Sequence, residues 1–150
     1  MMIEQTTPEL ILADILAFHE ELEGLNTSTI QGIRDIGLVA SAVNAPFQEI
    51  FDTLLYDSVE ERAAKLCFGL IKNHGFIDGN KRTAVHSLEC YLYLNDMLLI
   101  HTDEELENVA IAVAENMMTF TELTQWVQSH VKHVTEEEIL QTNMKLSERT

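Results

Sequence analysis

The sequence predicts an all-α fold, and three observations predict it. Pro and Gly are scarce, two and six in 150 residues, so few of the breakers that separate short strands are present. Apolar residues recur at three- and four-residue spacing through most of the chain. Ser or Thr followed three residues later by Glu opens one run after another, at Ser58/Glu61, Thr102/Glu105, Thr119/Glu122 and Thr135/Glu138. These patterns imply a bundle of about six or seven helices in one domain over residues 1–150. With 46% hydrophobic residues, the chain has apolar surface enough to offset the entropy of ordering it.

In chain order, Thr6 and Thr7 before Pro8 and Glu9 mark the first helix start. Its stripe is Leu12, Ile15, Leu16, His19 and Leu22, and Gly24 ends it. Residues 33–44 form a short amphipathic stretch that closes near Asn44-Ala45-Pro46. Residues 46–57, PFQEIFDTLLYD, lack helical phase and read as a short hairpin or an irregular flap. From Ser58, Ala63, Leu66, Cys67, Leu70 and Ile71 define a helix ending at Asn73-His74-Gly75. The next starts at Asn80 or Lys81, carries Ala84, Leu88, Tyr91 and Leu92 inward, and stops at Asn95-Asp96. Leu106, Val109, Ala110, Val113 and Met117 mark another helix, and Leu123, Trp126 and Val127 one more. Residues 134–150 read as a polar tail, either a helix packed on the body or a partly frayed one.

The formal net charge is −16. Such a surface repels phosphate backbones and anionic lipid, so neither nucleic acid nor a membrane is an expected partner. A basic protein segment is favoured instead. Cys67 and Cys90 lie in apolar stretches without CxxC spacing and read as buried, reduced thiols. The N-terminus shows no basic-then-apolar pattern and no run approaches the ~20 residues of a membrane span, so the expected location is the cytoplasm.

Against this acidic background, the stretch HGFIDGNKRTA (His74 to Ala84) sets two of only nine cations side by side at a helix start. Gly79 permits a tight turn. Asn80 is placed to cap the helix, and the amides of Gly79, Asn80, Lys81 and Arg82 would carry partial positive charge at its N-terminus. Lys81 and Arg82 add full charges, and Arg82 can grip a phosphate with two hydrogen bonds. Asp78 beside a phosphate site is a donor for Mg²⁺. His74 can take a proton from a hydroxyl near neutral pH. Phe76 and Ile77 are apolar loop anchors. The set reads as phosphoryl or nucleotidyl transfer; the same residues also read as ordinary turn chemistry with solvated cations.

At these residues the sequence resembles the Fic/Doc (Fido) family, whose core pattern is HxFx(D/E)GN followed by a basic residue. His74, Phe76, Asp78, Gly79, Asn80 and Arg82 stand in register with it. The longer run AAKLCFGLIKNHGFIDGNKRTAVHSLECYLYLNDM and the upstream IRDIGLVASAVNAPF resemble the Doc (death-on-curing) branch, across most of residues 6–128. The resemblance implies a Fido fold with a flap before the central helix pair. It implies His74 as general base, Phe76 as anchor and Asp78 as Mg²⁺ ligand. Gly79 and Asn80 would form an anion hole, with Lys81 and Arg82 on phosphates. Pro46 to Tyr56 would clamp the target polypeptide as an added strand. The implied reaction is transfer of phosphate from ATP to a protein hydroxyl, on a translation elongation factor, with a Phd-type antitoxin as partner. AMP transfer is the alternative, and a catalytically weak binding module a third reading.

The departures bear on that choice. AMP-transferring members carry GNGRxxR; here Lys81 replaces the second Gly and Val85 the second Arg. The Doc branch has NKRT, as here, but Ala at the position of Gly79. The inhibitory pattern (S/T)xxxE(G/N) has no good match, since Glu23-Gly24 follows His19 and Glu115-Asn116 follows Ile111. His130 and His133 are spaced to hold a metal, though a solvated face is the plainer reading. Trp126 reads as core. His86 has no assigned role, and Arg34 and Asp35 read as either structural or flap-shaping.

Overall fold

The computed structural model describes residues 7–25, 32–135 and, in the C-terminal segment, residues 137, 138, 140, 141, 144 and 145. Among the described residues, six α-helices carry most of the fold, with two short antiparallel strand pairs. Helix α1 (Pro8–Leu25) begins with Pro8 at its first position, and Thr7 accepts the Leu10 N–H through its hydroxyl. Helix α2 (Ile36–Asn44) is capped by Asp35, whose carboxylate accepts the Gly37 and Leu38 N–H groups. After a 3₁₀ turn at Ala45–Phe47, strands β1 (Glu49–Ile50) and β2 (Thr53–Leu54) pair Glu49 with Leu54 and Ile50 with Thr53. The flap segment is therefore a hairpin. Both turn residues, Phe51 and Asp52, have positive φ, 52° and 62°. That geometry matches the twist of a two-residue hairpin but strains a bulky side chain, and Phe51 is 97% exposed at the tip.

Helices α3 (Val59–Asn73) and α4 (Asn80–Leu94) form the central pair and share the largest interface of the fold. Ala63, Leu66, Cys67, Leu70 and Ile71 of α3 meet Ala84, Leu88, Tyr91 and Leu92 of α4 in one core. Leu66, Leu88 and Leu92 are fully buried, each contributing roughly 2 kcal/mol by leaving water. Arg62 ties α3 to α4 and to the end of the flap, donating to the Tyr91 hydroxyl and the Tyr56 carbonyl. Cys67 is wholly buried, which pushes its thiol up to about 12 and makes it inert. Cys90 departs from expectation: it is exposed, because Leu88, Tyr91 and Leu92 take the inward face of α4. Burial and the nearby carboxylates of Glu89 and Asp14 still raise its thiol above the ordinary value.

Strand β3 (Met97–Leu99), helix α5 (Asp103–Ala114), helix α6 (Phe120–His130) and strand β4 (Val131–His133) complete the fold. The pairing of β3 with β4 is absent from the sequence-based expectation. Three-residue strands give no readable alternation. Of the expected capping boxes, the one at Thr119 closes in both directions. Ser58 and Thr102 accept the Glu61 and Glu105 N–H groups, but the Glu61 carboxylate returns to the Ser58 hydroxyl and that of Glu105 faces His130. Thr135 accepts the Glu138 N–H, and the described residues beyond it are helical. The rest of the tail expectation lies outside the described residues. No helix among the described residues is long and apolar enough to cross a membrane.

Candidate active site

The motif forms the connection between α3 and α4, and four anchors hold it. The first is at His74. Helix α3 ends there because His74 enters the left-handed region, φ 51° and ψ 50°, which stops the hydrogen-bond ladder. The last carbonyls of a helix need donors, and Arg34 supplies them: Nε donates to His74 O at 2.7 Å and Nη2 to Asn73 O at 3.1 Å. The second anchor is Gly75, whose carbonyl accepts both the Arg34 and Asp35 N–H groups. The third is Phe76, 1% exposed and stacked on the His19 ring at 3.8 Å. Around it, Ile33 bridges Phe76 and Ile77 N–H donates to Gly32 O. Arg34 thus belongs to the loop that carries His74 and does not shape the flap.

The fourth anchor corrects the expectation for Asn80. Its side chain does not cap α4. Buried at 6% exposure, its Oδ1 accepts the Phe76 N–H and its Nδ2 donates to the Phe76 carbonyl. Gly79 takes the cap position with φ 79° and no side-chain cap is present. Replacing Asn80 with Ala strands both Phe76 backbone groups in a buried place, so chemical denaturation should show a loss of roughly 2–4 kcal/mol. Asp at the same position restores the acceptor only, and part of the loss remains.

What the anchors leave outward is chemistry. His74 and Asp78 are exposed. Asp78 Oδ1 accepts the Gly79 N–H at 2.8 Å, which leaves its second oxygen available. The N–H groups of Asn80, Lys81 and Arg82 fall in the first turn of α4, where a helix supplies no internal acceptor. Lys81 and Arg82 are exposed and make no hydrogen bond or ion pair among the described residues. Four other cations are committed: Arg34 and Arg62 to carbonyls, Lys65 over the Tyr56 and Phe120 rings, Lys72 to Val113 O and Asn116. Lys132 in β4 is exposed and, among the described residues, makes no hydrogen bond or ion pair through its side chain. Among the described residues no three His, Cys, Asp or Glu side chains converge on a metal position. A single carboxylate beside an anion site fits Mg²⁺, which takes its other ligands from phosphate and water.

The other candidates separate from this loop. His130 lies at the end of α6 on Trp126, while His133 is in β4, so the two do not form a site. His86 stacks on Phe18 and contacts Cys90 Sγ at 3.3 Å, beside a cavity of about 500 Å³ that no motif residue lines. Val85 packs against the core. Sequence reasoning missed His19 and Arg34 as partners of the loop. The available signal for His19 was a polar residue within an apolar stripe, which when buried must find hydrogen-bond partners.

A helical domain whose central helix pair presents an HxFxDGN loop, with a carboxylate and two uncommitted cations at a helix N-terminus, defines a recognisable class. A family model described as Fic/DOC family matches residues 9–92, and the chain belongs to that family. It is also similar to a protein named Toxin Doc from Mycolicibacterium smegmatis (strain ATCC 700084 / mc(2)155), 32% identical over 91 residues. That match covers 61% of this chain and 63% of the relative's length.

Proposed function

We propose that the chain is a Doc-like toxin that transfers the γ-phosphoryl group of ATP to a hydroxyl side chain of a protein. The observation that carries this is the N-terminus of α4: first-turn amides without an acceptor in the helix, Lys81 and Arg82 without partners among the described residues, and Asp78 adjacent, all on a loop pinned to the core. His74, an exposed imidazole at the other end of that loop, takes the hydroxyl proton as the oxygen attacks phosphorus. The bond from the γ-phosphorus to its bridging oxygen breaks and ADP leaves. Lys81, Arg82 and the amides of Asn80, Lys81 and Arg82 stabilise the phosphate charge that spreads in the transition state. Asp78 would hold Mg²⁺, which when bound neutralises phosphate oxygens. NKRT at 80–83 and Val85 in place of a second Arg favour phosphate over AMP as the transferred group.

The protein substrate that the family resemblance suggests is a translation elongation factor, the neutralising partner an antitoxin of the Phd type, and the setting the cytoplasm. The exposed edge and apolar tip of the β1–β2 hairpin, with Ile50, Phe51 and Leu55 outward, suit an extended polypeptide. Calorimetry tests the binding half of this reading. Mg²⁺-dependent ATP binding is expected, weakened about tenfold to a hundredfold by Arg82→Ala through loss of charge-assisted hydrogen bonds. No ATP binding by the parent protein contradicts it and favours a plain helical interaction domain.

A further inference from the structure

We infer that His19 of α1 is a positioning residue of the phosphate site, and that its task is to fix the orientation of the Asp78–Gly79 peptide. This rests on the reading of the α4 N-terminus as an anion site. His19 is 4% exposed, and its Nε2–H donates to the Asp78 carbonyl at 2.8 Å. On the other side of the ring, Nδ1 lies 2.9 Å from Glu23 Oε1. Both ring nitrogens face acceptors, one on each side, and this fixes the orientation of the ring. The ring lies flat on Phe76, 13° from parallel, which excludes other tilts. Glu23 Oε1 also accepts the Gly32 N–H at 2.8 Å, and Gly32 O accepts the Ile77 N–H. One carboxylate therefore orients the His19 ring and ties down the loop segment that carries Arg34.

The geometric consequence lies in the peptide plane. In a trans peptide the C=O and N–H point in opposite directions. Holding the Asp78 carbonyl inward on His19 turns the Gly79 N–H outward, where it meets Asp78 Oδ1. Gly79, at φ 79°, has no Cβ to resist a flip of this peptide. A flipped peptide would aim a carbonyl oxygen at the anion site. His19 supplies the restraint that glycine lacks. A Cβ added at Gly79 would sit 3.5 Å from the same ring, at ordinary contact distance, so the His19 ring packs directly against this peptide.

Two near-isosteres separate positioning from simple packing. Gln at position 19 places its amide N–H₂ near the location of Nε2 and keeps the bond to Asp78; Asn places its amide near Nδ1 and keeps only the Glu23 side. His19→Asn should weaken Mg²⁺-ATP binding by about tenfold, the scale on which partners behind a ligand act, and speed amide exchange at Gly79. His19→Gln should stay within about threefold of the parent in both. Equal affinity and exchange in His19→Asn and the parent, with only a lower melting temperature, would overturn the inference. If the parent binds no ATP, the proposed function fails, and Gly79 exchange alone decides the positioning role: faster in Asn and parent-like in Gln supports it, unchanged in both overturns it. The parent gives a check that needs no variant. A His19 Nε2 proton protected from solvent and coupled by NMR to the Asp78 carbonyl is expected, and its absence overturns the proposal.

Discussion

Replacing His74 with Ala is expected to slow phosphoryl transfer by two to four orders of magnitude, about the contribution of a positioned general base, while ATP affinity and the melting temperature stay near those of the parent. The separation follows from how the structure holds this residue. Its carbonyl is gripped by Arg34 and its neighbours by Gly75 O and Phe76, so the backbone is placed without help from the ring. The imidazole is exposed and has no hydrogen bond among the described residues. Truncation removes the proton acceptor from an exposed position and breaks no side-chain hydrogen bond among the described residues. Single-turnover transfer from γ-labelled ATP, with a thermal melt alongside, reads both halves. A variant with full transfer rate sinks the assignment of His74 as base.

The largest expected effect on stability is at the adjacent residue. A Cβ on Gly75 would lie 2.4 Å from Val39 Cγ2 and 3.0 Å from the Val39 backbone nitrogen, closer than atoms pack. Val39 is buried at 1% exposure in α2 and has no room to turn away. Gly75→Ala must push α2 and the loop apart, and overpacking of this kind costs about 1–3 kcal/mol or somewhat more. Against a total of roughly 5–15 kcal/mol, that loss is readily measured by denaturant titration. The same displacement lengthens the bonds from Arg34 and Asp35 to Gly75 O, so activity should fall more than the unfolded fraction explains. A variant as stable as the parent contradicts the close approach of α2 to the loop.

The central helices were legible because their periodicity is strong and their ends carry chemistry: a Ser cap at Ser58, a left-handed His-Gly stop, a turn at Gly79. The motif was legible because its chemistry is local, within one connection. What escaped was non-local. His19 meets Asp78 across 59 positions and Arg34 meets His74 across 40. No spacing rule along the chain joins such pairs. The role of Asn80 was misplaced because an Asn before a helix usually caps it, whereas here a left-handed Gly79 takes the cap and frees the amide to close the loop at Phe76. The hairpin stayed ambiguous because its turn is Phe51-Asp52 rather than the Asn-Gly that normally announces positive φ.

The central claim is that this loop moves the terminal phosphate of ATP onto a protein. The most direct measurement incubates the protein, and His74→Ala beside it, with Mg²⁺, a bacterial lysate and ATP labelled at either the α or the γ phosphate. The account predicts a protein band labelled from γ only, and absent with His74→Ala. Label arriving from the α phosphate would contradict it and establish AMP transfer despite Lys81 and Val85.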